Sequence, residues 1–127
     1  MSESATLQRI KLAVGGRPDC RVFRNQVGQG WYGKLISGPA PISGRVVLDG
    51  ARPLRAGLCT GSSDLVGWCT INGVARFVAI EVKSEREQTT EAQDIFLAAV
   101  IRAGGIGIVA RSVEEAIAGL DGDGPSS

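Results

Sequence analysis

The chain has 127 residues, the size of one ordinary domain, and 43% of them are hydrophobic against 21% charged, enough apolar side chain to offset the entropy of ordering a single core. It contains no histidine, which excludes Ser-His-Asp and Cys-His nucleophilic catalysis, H-E-x-x-H zinc hydrolysis and every mechanism with a histidine base, so catalysis has to run on carboxylates, lysine, tyrosine, serine or a hard metal ion. The net charge is only +1, so no strongly basic surface is announced, although acidic residues gathered around a metal would offset a basic rim elsewhere.

Cys20, Cys59 and Cys69 are odd in number and show no C-x-x-C spacing, and the sequence has neither a signal peptide nor an apolar run long enough to span a membrane. They are expected to be reduced, each a small buried hydrophobe with no chemistry, in a cytoplasmic protein.

In chain order, residues 4–14 place Leu7, Ile10, Ala13 and Val14 at helical spacing, with Gly15-Gly16 as the stop. Residues 20–25 read as a strand. Gly28, Gly30, Gly33, Gly38, Pro39 and Pro41 then predict a long irregular connection, with a short edge strand at 45–48 before a turn at Asp49-Gly50. Residues 64–71 and 74–83 are two strand-like runs joined by Asn72-Gly73, the pair that best tolerates the positive φ angles of a type I′ hairpin. Thr90-Glu91-Ala92-Gln93 and Ser112-Val113-Glu114-Glu115 read as capping boxes opening two helices, with a buried strand at 106–110 between them. Strand, helix, strand in succession predicts a parallel β-α-β unit. The expected fold is α/β, a mixed central sheet flanked by helices, in one domain over residues 1–120 followed by a flexible tail at 121–127.

A two-residue turn at Asn72-Gly73 fixes the hairpin register and sets Asp64 directly opposite Glu81. Directly opposed residues on one face have Cβ atoms about 4.5–5.5 Å apart, a destabilising separation for like charges, and a divalent cation that prefers oxygen ligands is the natural compensation. Lys83 follows Glu81 by two positions and shares its face. The bland alternative is a turn residue at Asp64 and an ordinary ion pair between Glu81 and Lys83. Against it, Phe77, Val78, Ala79 and Ile80 mark a central strand buried on both faces, where an acid and a lysine are seldom incidental. Two carboxylates and an ammonium at a metal suit phosphodiester hydrolysis without histidine. A phosphate-binding role for Gly104-Gly105-Ile106-Gly107 is disfavoured, because these glycines follow a helix and precede a strand.

Gly61-Ser62-Ser63-Asp64-Leu65-Val66-Gly67-Trp68, then Phe77-Val78-Ala79-Ile80-Glu81-Val82-Lys83, then Thr90-Glu91-Ala92-Gln93-Asp94-Ile95-Phe96-Leu97 resemble the VRR-NUC family of PD-(D/E)XK nucleases in order and spacing. Arg24-Asn25-Gln26-Val27-Gly28 and the segment 104–115 resemble its stand-alone phage and bacterial members. The resemblance implies a restriction-endonuclease-like core and a Mg²⁺- or Mn²⁺-dependent endodeoxyribonuclease with Asp64, Glu81, Lys83 and Gln93 as catalytic residues. It implies metal ligation by Asp64, Glu81, the backbone carbonyl of Val82 and Glu3. Gln93 has a second reading as the third residue of a capping box, and Glu3 as a favourable charge at a helix start. Ser63 stands where the class motif often has proline, and Pro18-Asp19, a literal match to that motif, lacks the hairpin register.

Basic residues crowd the half of the chain before the hairpin, with Trp31 and Tyr32 among them, so Arg21, Arg24, Asn25, Trp31, Tyr32 and Lys34 are expected to contact DNA, the aromatics by stacking on unpaired bases. By the same resemblance the chain is expected to form a homodimer and to cut branched DNA such as Holliday junctions, with no membrane partner. A non-catalytic nucleic-acid-binding module of the same fold is the alternative.

Overall fold

In the computed structural model, which describes residues 2–36 and 44–122, the Ser2 side chain accepts from the amide of Ala5 and opens α1 (Glu3–Gly15). β1 (Cys20–Arg24), β2 (Gly28–Leu35) and β3 (Leu48–Ala56) follow, then β4 (Leu65–Ile71), β5 (Val74–Val82), α2 (Glu91–Arg102), β6 (Ile106–Ala110) and α3 (Val113–Leu120). The tail expected beyond Leu120 is described only as far as Gly122.

Asn72 and Gly73 adopt φ angles of 53° and 77°, so the turn between β4 and β5 has the two left-handed positions that a type I′ hairpin needs, and Ile71 pairs with Val74 beside it. The register continues without a slip to Leu65 opposite Ile80. β5 pairs in parallel with β6 across α2, as the β-α-β reading expects. β1 adds antiparallel to the outer edge of β4, completing a mixed sheet in the order β1-β4-β5-β6.

Alternation along the strands divides the side chains between two layers. Leu65, Val78, Ile80 and Val82 face α1 and α3, where they bury against Leu7, Ile10, Val14, Ala116 and Leu120. On the opposite face Ala79 packs with Leu97 and Val100 of α2. Glu81 and Lys83 share the parity of Ala79 and are therefore carried on the α2 face. That face is only partly covered: Phe23, Trp68 and Phe77 remain exposed, with the rings of Phe23 and Trp68 5.9 Å apart.

β2 and β3 differ from expectation. The glycine-rich stretch from Gly28 is a strand, and β3 runs straight through Asp49-Gly50, where a turn was expected. The two form a separate antiparallel ribbon whose register shifts between Tyr32 and Lys34, a bulge that sets Gly33 against Gly50 and Ala51. Both faces of the ribbon are exposed, so the alternating polarity that marks a half-buried strand is absent from its sequence. Gly38, Pro39 and Pro41 of the expected connection lie outside the described residues.

The cysteines also depart from expectation. Cys20 and Cys69 are direct partners across β1 and β4, and their sulfurs form a disulfide, while Cys59 is free and exposed rather than buried. Their pairing is created by the β1-β4 register between residues remote in sequence, which neither an odd count nor local spacing reveals.

Candidate active site

The backbone ladder between β4 and β5 stops at Leu65-Ile80, and the next position is held by a side chain. Oδ2 of Asp64 accepts from the amide of Val82 at 2.8 Å, while the Asp64 carbonyl accepts from the amide of Asn25 at 2.7 Å. Asp64 is thereby fixed beside Glu81, as the hairpin register predicts. The N–H and C=O of a strand residue leave on the same edge, so the Val82 carbonyl also points toward the Asp64 side.

Glu81 is 3% exposed. Its Oε2 accepts from Nε2 of Gln93 at 3.0 Å, and its Oε1 is buried without a hydrogen-bond partner. Burial first, and the neighbouring Asp64 second, push the Glu81 carboxyl up to about 8. Gln93 makes two contacts: Oε1 accepts from the amide of Thr90 at 2.9 Å, closing the capping box, while Nε2 donates to Glu81. The second box is rearranged, because Glu115 accepts from the amide of Arg111 rather than from that of Ser112.

Lys83, 5% exposed, holds Nζ 3.9 Å from Oε2 of Glu81 and 3.4 Å from Oε2 of Glu87. Glu87, which sequence reasoning missed, sits in the segment between β5 and α2, where Arg111 donates to its carbonyl at 2.7 Å. No regular pattern runs through that segment, and its only local signal is a spacing of four from Lys83. Glu3 lies beside Glu87. Their hydrogen bond is the first cause that raises the Glu3 carboxyl and lowers that of Glu87, and Lys83 lowers Glu87 further. Among the described residues no group of three or more acids, cysteines or histidines converges as a metal site. The structure therefore brings Asp64 and Glu81 together, while Glu3 lies against Glu87 and lines the adjoining hollow with Asp64 and Val82.

The loop before Asp64 is held by a close approach. Gly61 has φ 86°, and a Cβ there would lie 2.6 Å from the backbone of Ala92 in the first turn of α2. Only glycine combines that conformation with that proximity. The contact seats the helix start, and with it Gln93, against the loop that leads to Asp64.

Asn25 ties the same loop from the other side. Its Nδ2 donates to Oγ of Ser62 at 2.7 Å and to the carbonyl of Ser63 at 2.9 Å, and its Oδ1 accepts from the amide of Leu58 at 3.0 Å. The side chain expected to contact DNA is thus engaged within the protein, joining the chain that enters the ribbon to the chain that leaves it.

A cleft of about 220 Å³ opens over these groups, lined by Arg24, Asn25, Ser62, Asp64, Glu81 and Gln93. A second hollow of about 280 Å³ on the α1 side shares Arg24 and Asp64 with it and reaches Glu3 and Val82. The larger hollow at the base of the ribbon, about 580 Å³, has no carboxylate in its lining. Arg21 and Arg24 are exposed on β1, and Trp31, Tyr32 and Lys34 are exposed on the ribbon. Arg17 and Asp19 bind each other, and Arg17 also binds Asp121, so Pro18-Asp19 takes no part in the cleft.

A divalent cation fits this donor set. Glu81 Oε1 is a buried acceptor with nothing to bind, Asp64 faces it, and carboxylate and carbonyl oxygens are the ligands that Mg²⁺ and Mn²⁺ prefer. Cation binding would compensate for the burial and like-charge proximity that now hold the proton on Glu81.

The family model for the VRR-NUC domain matches residues 51–114. The matched stretch contains Asp64, Glu81, Lys83, Glu87 and Gln93 and excludes α1 and β2. No curated protein matches the chain.

Proposed function

The chain belongs to the VRR-NUC domain family, a nuclease-type domain, and from that premise we propose that it is a Mg²⁺- or Mn²⁺-dependent DNA endonuclease with a PD-(D/E)XK core. The observation that carries this reading is the orphaned Oε1 of Glu81, facing Asp64 with Lys83 buried alongside. Asp64, Glu81 and the Val82 carbonyl would hold the cation, which when bound supplies Lewis acidity and charge neutralisation at the scissile phosphoryl group. Glu3, which lines the adjoining hollow with Asp64 and Val82, would be a further ligand.

The other groups divide the remaining work. Nζ of Lys83 would orient the attacking water and stabilise the charge that develops on phosphate oxygens. Gln93 holds Glu81 through Oε2 and leaves Oε1 free for the cation. Arg24 at the cleft edge and Arg21 further along β1 are suited to the flanking phosphates, and Tyr32 and Lys34 extend the contact along one face of the ribbon, with Trp31 on its other face. The exposed Phe23, Trp68 and Phe77 on the α2 face of the sheet suit a homodimer, and a two-fold assembly suits a branched substrate such as a Holliday junction.

The test is cleavage of labelled four-way junction, flap and linear duplex DNA with Mg²⁺ or Mn²⁺, comparing the chain with Asp64→Asn and Lys83→Ala. Paired symmetric cuts in the junction, lost in both variants and with chelator, are expected. Metal-dependent cutting of the other substrates alone would keep the nuclease and discard the junction preference. DNA binding with no cleavage of any substrate would instead identify a non-catalytic binding module.

A further inference from the structure

The β2-β3 ribbon does not help to bury the core. Its strands make their extensive contacts with each other, and both of its faces are exposed. An isolated two-stranded ribbon is marginal in water, so this one is expected to work against a partner. Its own composition indicates which kind. Over residues 28–36 and 44–56 it carries Lys34, Arg45, Arg52 and Arg55 against Asp49 alone, in a chain whose net charge is only +1.

Register sorts these residues between the two faces. Tyr32 pairs with Arg52 and Lys34 with Asp49, so alternation gathers Tyr32, Arg52, Lys34 and Asp49 on one face, two cations against one acid. Gln29 with Arg55, Trp31 with Pro53 and Leu35 with Leu48 lie on the other, which carries a single cation. The bulge at Gly50 keeps Arg52 in step with Lys34 despite the extra residue.

We propose that the β2-β3 ribbon is an arm that lies in the major groove of double-stranded DNA, with its Tyr32-Arg52-Lys34 face toward the duplex, and that Asn25 fixes this arm to the cleft. The inference deepens the nuclease reading and rests on it for the identity of the substrate. A two-stranded ribbon fits the major groove, which is about 12 Å wide, and eight residues of β2 reach about 26 Å along it. Cations on the groove-facing side meet phosphates on both walls. Through Asn25 both feet of the arm end at the loop that carries Asp64, so duplex held by the ribbon is set in register with the cleft.

The experiment measures binding of the full chain to a short labelled duplex by fluorescence anisotropy, without divalent cation, across a range of salt concentrations. Lys34→Ala combined with Arg52→Ala is expected to weaken binding at least tenfold at low salt and to flatten the slope of log affinity against log salt by about 2, one phosphate contact per residue. Lys34→Arg with Arg52→Lys should retain most of the affinity, which separates lost charge from a frayed ribbon. Arg9→Ala, on exposed α1 surface, serves as the control.

Unchanged affinity in the double alanine variant, or an equal loss in Arg9→Ala, would overturn the proposal. It would also fall if sedimentation showed that the double variant breaks an assembly of the wild-type chain and loses DNA only for that reason, since the ribbon would then dock on a second copy. Because binding is read without the metal, it is independent of cleavage. If the chain cuts nothing yet the double variant loses affinity, the arm stands and the proposed activity does not. If the chain cuts DNA and the double variant binds normally, the reverse holds.

Discussion

Val82 donates its backbone N–H to Oδ2 of Asp64 at 2.8 Å, so a carboxylate completes the β4-β5 ladder where the backbone pairing ends. Asp64 consequently has a structural as well as a chemical role, and two substitutions separate them. Asp64→Asn keeps an oxygen for the Val82 amide and should unfold within about 1 kcal/mol of the parent, whereas Asp64→Ala leaves that amide unpaired and should cost about 1–3 kcal/mol. Both should lose at least a hundredfold in cleavage rate if the acid holds the cation. Urea denaturation beside single-turnover cleavage reads the two effects independently.

The Glu81 carboxyl, raised to about 8, makes stability and metal binding depend on pH in opposite senses. The folded chain holds this proton more tightly than the unfolded one, so the stabilisation is complete below the ordinary value of 4.5 and is lost as pH rises through about 8. The melting temperature without metal should fall between pH 5 and pH 9, and Glu81→Gln should flatten that fall. A cation has to displace the same proton, so Mg²⁺ affinity should increase by up to about tenfold per pH unit and level off above pH 8. Calorimetry in buffers of different ionisation enthalpy should detect the proton released; the absence of release below pH 8 would refute the assignment.

Gln93→Ala removes the side chain that closes the capping box and positions Glu81. Loss of the reciprocal cap should cost about 1 kcal/mol. Gln93→Glu restores an acceptor for the Thr90 amide but places a third carboxylate against Glu81. It should therefore recover the helix while leaving cleavage at least tenfold below the parent. Equal activity in Gln93→Ala and the parent would reduce Gln93 to a cap.

Gly61→Ala introduces a Cβ 2.6 Å from the backbone of Ala92 at φ 86°. The loop or α2 has to move, so a loss of about 2–4 kcal/mol is expected together with reduced cleavage by whatever remains folded. Gly73→Ala, whose added Cβ meets no atom within 4 Å, should cost only the strain of its positive φ, about 1–2 kcal/mol, and leave cleavage unchanged. Thermal unfolding and active-site titration of both variants would distinguish displacement of the site from a general loss of stability.

Glu87 draws Nζ of Lys83 to 3.4 Å, nearer than Glu81 does at 3.9 Å. With Glu87→Ala the lysine keeps Glu81 as its acidic neighbour and should compete with the cation for that carboxylate. The half-saturating Mg²⁺ concentration should rise several-fold while the rate at saturating metal changes little. A fall in the saturated rate with no change in metal dependence would instead give Glu87 a direct influence on Lys83 chemistry.

The hairpin, its register and both flanking helices were legible because each has a local signal of sufficient strength: Asn72-Gly73 for the turn, Thr90 and Gln93 for the α2 start, and the continuous apolar run Phe77-Val78-Ala79-Ile80 for the central strand. The Asp64-Glu81 meeting followed from turn length alone. The ribbon was not legible because the cues that define strands report burial, and its strands are exposed on both sides. The hydrogen bonds of Asn25 within the protein could not be read locally, because Leu58, Ser62 and Ser63 lie more than thirty positions away in sequence. The Glu3-Glu87 neighbourhood was hidden for a related reason: the position of Glu87 depends on an irregular segment.

The joined feet of the ribbon have a consequence for how such a chain can diversify. β1 and β4 pair directly, and Asn25 closes the gap just beyond their last rung, so everything from β2 to β3 is topologically one long loop between neighbouring strands. Loops in that position tolerate changes of length at a small entropic cost, about 0.6 kcal/mol per doubling. The arm can be shortened, lengthened or exchanged while the carboxylates keep their register, leaving the hydrolytic chemistry and the grip on the substrate free to evolve separately.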